Sequence, residues 1–539
     1  MKKLVILALS LILLASCGAK QPLPSETTPE PATSGGIVWQ TDATTPPETE
    51  VRLNTYIVEY DDGTRITWTG EREPLPSFEE VQTLYPEKTV LVWAFEGYPN
   101  EIMRVKEINE YLSTLGKDYV VCLLPVAGAL NSNNTYPENI DKLIASGKQV
   151  DIIYSSNMNP GEAGMYPYHR DVFAGRLEPL DGYLSDTDIG RRLYELMPEN
   201  HWEALRVNGS IYGVDGGVKT IAPNYGYYFN EELVNKYGYD IYKPFSEQID
   251  ILKSIEENEN VDTIACHTNF VAVRWWSDSP HITSAVCFDM ASGKAKSILE
   301  DEEYLTNLRE LFDANREGVV DKLSAQKRQN FFAYRDVIEL PYDTDQPVSV
   351  PYGMKNQDIV RAIPVFKDTV LNYCPAATGI SVHSQHKDMA FDLLALTQTD
   401  AALNNLLVYG VADEDYTIDN GCAKTIINAL NIKRFANRLI CLPCIIEGDS
   451  EDTPKLLRSA LENGKRVSGF VFDGSECIAE SWATQDVLDE LKNMILPPES
   501  KYNSFDELIS DYQEKLKSAG IDKIIAEADR QYALWRDEK

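Results

Sequence analysis

Positive charge is heavily outweighed in this chain, and histidine is scarce. Against 84 Asp and Glu stand 50 Lys and Arg, a formal net charge of −34, with 6 histidines in 539 residues. Such a balance excludes nucleic acid and anionic lipid headgroups as expected partners, because both need a basic surface. It also disfavours a strongly anionic ligand, although a local basic pocket could override it. No HExxH, P-loop, GxGxxG or GxSxG motif occurs, so no catalytic residues, cofactor or metal are expected. Neighbouring carboxylates are frequent, but 84 acidic residues bring pairs together by chance. After the first residues no run of 18 apolar residues appears, so no membrane span is expected in the body.

What is present begins at the N-terminus. Lys2 and Lys3 precede an apolar run from Leu4 to Ala15, too short to span a bilayer and suited to a signal-peptide core. The tetrad Leu14-Ala15-Ser16-Cys17 resembles the lipobox of bacterial lipoproteins. The resemblance implies removal of residues 1–16 and acylation of the Cys17 thiol. Acyl chains gain about 0.8 kcal/mol per buried CH₂, so several together anchor stably. Residues 17–50 are rich in Pro, Ser, Thr and Gly and read as a disordered tether. The expected location is the cell membrane, lipid-anchored, on its extracytoplasmic face.

The other eight cysteines are 122, 266, 287, 374, 422, 441, 444 and 477. Several lie in apolar runs, where a free thiol acts as a small hydrophobe. Cys441 and Cys444 have metal or redox spacing but lack a second CxxC or a histidine pair, so a structural role is expected. His383 and His386 bracket a helix start and read as solvated groups rather than metal ligands.

Residues 51–87 read as an accessory β-hairpin and linker, turning at Asp61-Asp62-Gly63, with Tyr56/Val58/Tyr60 and Ile66/Trp68 alternating. From residue 88 strands alternate with helices: TVLVWAF, then a helix ending at Gly116; YVVCLLPVAG, then PENIDKLIASG; then VDIIYSS. Near-continuous apolar strands between helices indicate a parallel sheet covered on both faces. Roughly 450 residues exceed one core, which implies two lobes. Ligands of such sheets bind beyond the carboxyl ends of the strands, here residues 95–100, 126–134 and 155–161.

The succession TVLVWAF…VDIIYSS…LEPLDGYL…NGSIYGVDGG…NYGYYFNEELVNKYGYD resembles the family 1 extracellular solute-binding proteins of ABC importers. TGISVHSQHKDMAFDLLALTQTDAALNNLLVYG is similar to that family's return to the first lobe; Ser384 is a helix N-cap candidate, with Met389, Leu393 and Leu396 at helical spacing. VSGFVFDGSE and SFDELISDYQEKLKSAGIDKIIAEADRQYALW resemble the C-terminal region of LipO-type binding lipoproteins. There Ser504 and Glu507 suggest a capping box, Gly520 a break between helices, and Ile521, Ile524, Ala528, Tyr532 and Trp535 a core stripe.

The resemblance implies a two-lobed, periplasmic-binding-protein-like α/β fold of type II, with parallel-rich sheets, flanking helices and an interlobe cleft. The lobes divide as 88–222 (first), 228–368 (second), 377–415 (first, return) and 420–539 (second, completion). By position in that family, Glu96 and Tyr98 follow the first strand, and Ser156 and Asn157 the third. Asn224, Tyr225 and Tyr227 lie on the first crossing, and Tyr373 to Thr378 on the second. Trp93 reads as core, and Asp473 with Phe470 is a further candidate.

Sugars stack their C–H faces on aromatic rings, and 29 Tyr and 8 Trp supply them. Trp275 and Trp276 are the candidate platform. Adjacent strand residues point to opposite faces, so at most one faces the cleft, or both belong to the second lobe's core. The expected function is a monomeric, non-enzymatic receptor capturing an oligosaccharide and delivering it to ABC importer permease subunits. Open alternatives are a peptide or other solute, a surface glycan hydrolase, and a ligand-free scaffolding lipoprotein.

Overall fold

A computed structural model of the chain describes residues 54–59, 65–70, 75–97, 103–126, 135–155, 166–217, 224–241, 243–259, 261–266, 282–289, 292–322, 331–338, 359–364, 370–371, 376–425, 434–443, 451–466, 470–495 and 501–537. The hairpin strands Asn54–Glu59 and Arg65–Gly70 pair antiparallel, with Asn54 opposite Gly70 and Glu59 opposite Arg65.

The first lobe is built on four strands in the order Thr378–Ile380, Ile152–Tyr154, Thr89–Glu96, Tyr119–Val126. The last three are parallel, and Thr378–Ile380 runs antiparallel at the edge. Between Thr89 and Glu96 this strand is apolar, from Val90 to Phe95, and both its faces are covered. Leu91, Trp93 and Phe95 enter the main core, while Val90 packs with Val81, Val120 and Cys122 around the helix Phe78–Leu84. The helix Val105–Thr114 buries Val105, Ile108 and Leu112. Its buried Asn109 accepts from the Val121 N–H (2.7 Å) and donates to the Val121 carbonyl (2.9 Å). Gly116 follows with φ +72°, the left-handed turn that glycine makes without strain.

A fully buried carboxylate ties the returning chain to this sheet. Asp151 accepts from the Val92 N–H (2.8 Å), Gln149 Nε2 (2.6 Å) and the Ser384 hydroxyl (2.5 Å). Ser384 in turn accepts from the His386 N–H (3.0 Å). The helix after it spans Lys387–Thr399 and starts from His386, two residues beyond the cap expected at Ser384.

The second lobe has five strands in the order Val320–Lys322, Asp262–Cys266, Phe331–Ile338, Asn224–Asn230, Ile359–Pro364. The first three run parallel, and Asn224–Asn230 is antiparallel to both its neighbours, so this sheet is mixed. Phe229, Tyr239 and Phe332 form an aromatic knot, with centroids 4.9–5.8 Å apart.

Helices Ile478–Ile495, Phe505–Ser518 and Ile521–Asp537 complete the second core. Ser504 caps the middle one by accepting from the Glu507 N–H (3.2 Å), but Glu507 reaches back to the Asn503 N–H (2.8 Å) rather than to that of Ser504. Gly520, at φ +94°, separates the last two helices. Ile521, Ile524 and Ala528 are buried, and Tyr532 and Trp535 pack against the same core.

Beyond residue 420 the chain still contributes to the first core. Ala423, Phe435, Ala436 and Cys441 belong to the first core, and Phe435 meets Trp93 and Phe95 edge-on at 5.2 and 5.6 Å. The helix Thr453–Asn463 is also held to the first lobe. Arg458 donates to the Leu196 carbonyl (3.1 Å), and Asn200 donates to the Glu462 carbonyl (3.0 Å). The chain changes lobes at Phe470–Phe472: Val471 lies in the first core, and Phe470 and Phe472 in the second.

Candidate functional site

The carboxyl end of the first-lobe sheet carries a buried polar cluster. Glu96 ends the strand Thr89–Glu96 and is 8% exposed. Ser155 directly follows the strand Ile152–Tyr154, and its hydroxyl donates to Asp171 Oδ2 (2.8 Å). Asp171 lies on the helix Pro167–Phe173, which starts with proline where no backbone N–H is needed. Tyr168 anchors that helix, donating to the Leu205 carbonyl (2.9 Å) and accepting from the Tyr212 N–H (3.0 Å).

Two arginines share Asp171: Arg170 Nε at 3.2 Å and Arg176 Nη1 at 3.1 Å. Behind them Tyr136 donates to the Ala94 carbonyl (3.3 Å). Burial pushes the Tyr136 hydroxyl well up, Asp171 and Glu96 add to the rise, and Arg170 and Arg434 oppose it. These four charged side chains therefore all act on one buried hydroxyl. Arg434, 7% exposed, lies over the Phe95 ring at 5.3 Å from its centroid, a cation–π contact that settles a guanidinium beside an apolar strand. Burial holds the neighbouring His169 imidazole down to about 3, so it is uncharged at neutral pH.

Of the candidates read from sequence, Glu96 joins this cluster. Asn224, Tyr225 and Tyr227 lie in the second-lobe strand Asn224–Asn230, opposite Ile338, Val337 and Arg335. Cys17, Tyr98, Ser156, Asn157, Trp275 and Trp276 lie outside the described residues. Asp473 is half-buried just beyond the change of lobe. Its carboxylate accepts from the Ser475 N–H (3.0 Å), and its backbone N–H and carbonyl both pair with the Gln531 amide at 2.9 Å. Trp93 is 1% exposed in the first core, as read. Tyr136, Arg170, Asp171 and Arg434 escaped the sequence reading. The adjacent polar residues Tyr168-His169-Arg170-Asp171 on an otherwise apolar helix are the available signal.

Two sheet-centred cores, with the chain passing between them and helices completing each, define the two-lobed α/β fold of extracellular solute-binding proteins. Solved structures agree. The N-glycan transport solute binding protein NgtS from Streptococcus pneumoniae superposes with a TM-score of 0.61 at 18% identity, covering 84% of this chain and 100% of that one. The same protein in complex with Man1GlcNAc gives 0.55 at 19% identity, covering 83% and 99%. In sequence, the chain is 23% identical over 448 residues to a "Carbohydrate ABC transporter substrate-binding protein" of Streptococcus pneumoniae serotype 4, spanning 74% of this chain and 88% of the relative. A family model described as a domain of unknown function, DUF3502, matches residues 466–537, the segment that begins just before the change of lobe and contains the three C-terminal helices.

Proposed function

We propose that this chain is the substrate-binding receptor of an ABC importer and captures a carbohydrate, most simply an oligosaccharide, between its lobes. The observation that carries the reading is a two-lobed fold joined to a relative so described, matched over 88% of that relative's length. Glu96 and the cluster beneath it form the first-lobe side of the proposed site. Asn224, Tyr225 and Tyr227, with Tyr98, Ser156, Asn157 and one of Trp275 and Trp276, supply hydroxyl partners and stacking faces. Asp473 serves the turn that follows the lobe junction.

Capture needs no chemistry. A ligand that binds the closed arrangement better than the open one shifts the population by its differential affinity. The closed form then presents both lobes to the permease subunits as a monomer. The lipid on Cys17 holds the receptor at the extracytoplasmic face of the membrane, raising its effective concentration near the importer without a new contact. The C-terminal helices belong to the LipO-type pattern in this reading.

A thermal-shift screen of oligosaccharides, peptides and amino acids tests the proposal. Ligand at 100 times Kd stabilises by about 2.7 kcal/mol, a rise of a few degrees in Tm. A shift with saccharides alone is expected. Shifts only with peptides would move the reading to another solute, and release of shortened glycan products would make the chain a hydrolase.

A further inference from the structure

Arg170 and Arg176 share one carboxylate and are otherwise in opposite situations. Arg176 is fully engaged: Nη1 donates to Asp171 (3.1 Å), while Nε and Nη2 grip Asp141 at 2.8 and 2.6 Å. Arg170 spends only Nε on Asp171 (3.2 Å). Its Nη2 is buried and has no hydrogen-bond partner among the described residues, although the residue is 7% exposed. Asp171 already accepts from Ser155, from Arg170 Nε and from Arg176, and makes no bond to Nη2. A buried guanidinium arm left unmatched carries its desolvation penalty in full until an acceptor arrives. The arm sits at the carboxyl end of the sheet, where Ser155 leaves the strand and where open α/β sheets bind ligands.

From these contacts we infer that Arg170 Nη2 is an acceptor-reading subsite, which takes a saccharide oxygen that carries no proton of its own. Ring and glycosidic oxygens are weak acceptors of that kind; the strong ones are the carbonyl of an acetamido substituent and the carboxylate of an acidic sugar. A bare ammonium at that position is rejected, because it would face Arg170 with two like charges and no acceptor. A plain hydroxyl is accepted weakly, since it must turn its lone pair toward the arm and place its proton elsewhere. Arg170 is here a specificity-determining residue, and the inference rests on the carbohydrate-receptor reading above.

The test compares four β1,4-linked tetrasaccharides by isothermal titration: chitotetraose, its fully de-N-acetylated form, cellotetraose, and a cellotetraose oxidised to carry C6 carboxylates. Binding is measured on the full chain and on Arg170→Lys. Lysine keeps a cation beside Asp171 but has no second arm, and its Tm is expected to stay near wild type. The wild type is expected to prefer the acetamido or the carboxylate ligand over cellotetraose by about 10-fold or more, the de-N-acetylated form being weakest. Which of the two leads identifies the acceptor. Arg170→Lys is expected to erase the preference, bringing the acetamido and carboxylate ligands down to the affinity of cellotetraose. Equal wild-type affinity for all four, or an unchanged preference in Arg170→Lys, overturns the subsite and leaves the receptor reading standing. So does binding confined to saccharides with neither group. A chain that binds no saccharide in any screen overturns both.

Discussion

Replacing Asp151 with alanine should damage the first lobe more than any single apolar truncation at its edge. The carboxylate is fully buried and gathers three donors at 2.5–2.8 Å, from the sheet strand, from Gln149 and from the returning chain. Gln149 is half-buried and can turn to water, and the Ser384 hydroxyl can rotate. The Val92 N–H is fixed in the strand, and its acceptor is the Asp151 carboxylate. Stranding it costs about 1–3 kcal/mol, and losing the two charge-assisted bonds adds a comparable amount. The sum, about 3–5 kcal/mol, is a large part of the 5–15 kcal/mol that holds a typical domain. Asp151→Asn keeps one oxygen for Val92 and should cost only about 1 kcal/mol. Urea unfolding followed by circular dichroism measures both. An Asp151→Ala midpoint within about 1 kcal/mol of wild type would refute the idea that this carboxylate joins the two segments.

Two further outcomes follow from the packing. Gly216 leaves no room for a side chain, since a Cβ there would lie 1.7 Å from the Ala436 carbonyl oxygen. Gly216→Ala must push the 434–438 segment off the core, at about 2–4 kcal/mol by chemical denaturation; wild-type stability would contradict the assignment of that segment to the first lobe. His169 and His201 are both held down to about 3 by burial, from an ordinary 6.5. The unfolded chain therefore binds protons below pH 6.5 that the folded one refuses, so stability falls on acidification. At pH 5 each histidine should cost about 2 kcal/mol, and His201→Gln should remove one share of the difference between pH 7.5 and pH 5. A loss of the same size in His201→Gln would mean that His201 does not contribute.

Much of the fold is legible in the residue pattern. Thr89–Glu96 and Tyr119–Val126 read as buried strands because nothing polar interrupts either run before its end. The last helices read from Ser504, Gly520 and a 3.6-residue stripe. The first-lobe share of 422–463 has no local signature, because it is a few scattered residues, Ala423, Phe435, Ala436 and Cys441, with no common period. Phe435 meets Trp93 and Phe95, more than 300 positions earlier, and no local pattern marks such a contact. The site divides in the same way. Glu96 is visible as the first polar residue after an apolar strand. Arg170, Asp171, Tyr136 and Arg434 come from helices and a late segment, and only the folded arrangement brings them to the same strand ends. The unmatched arm of Arg170 is a property of geometry, which no motif could announce.

The central claim is that the chain captures a carbohydrate between its lobes, and calorimetric titration of the full chain with an oligosaccharide panel tests it most directly. Saturable binding of one saccharide per chain is expected, with the negative heat-capacity change that accompanies burial of apolar surface in a closing cleft. Absence of heat with every saccharide, alongside saturable binding of a peptide, would contradict it.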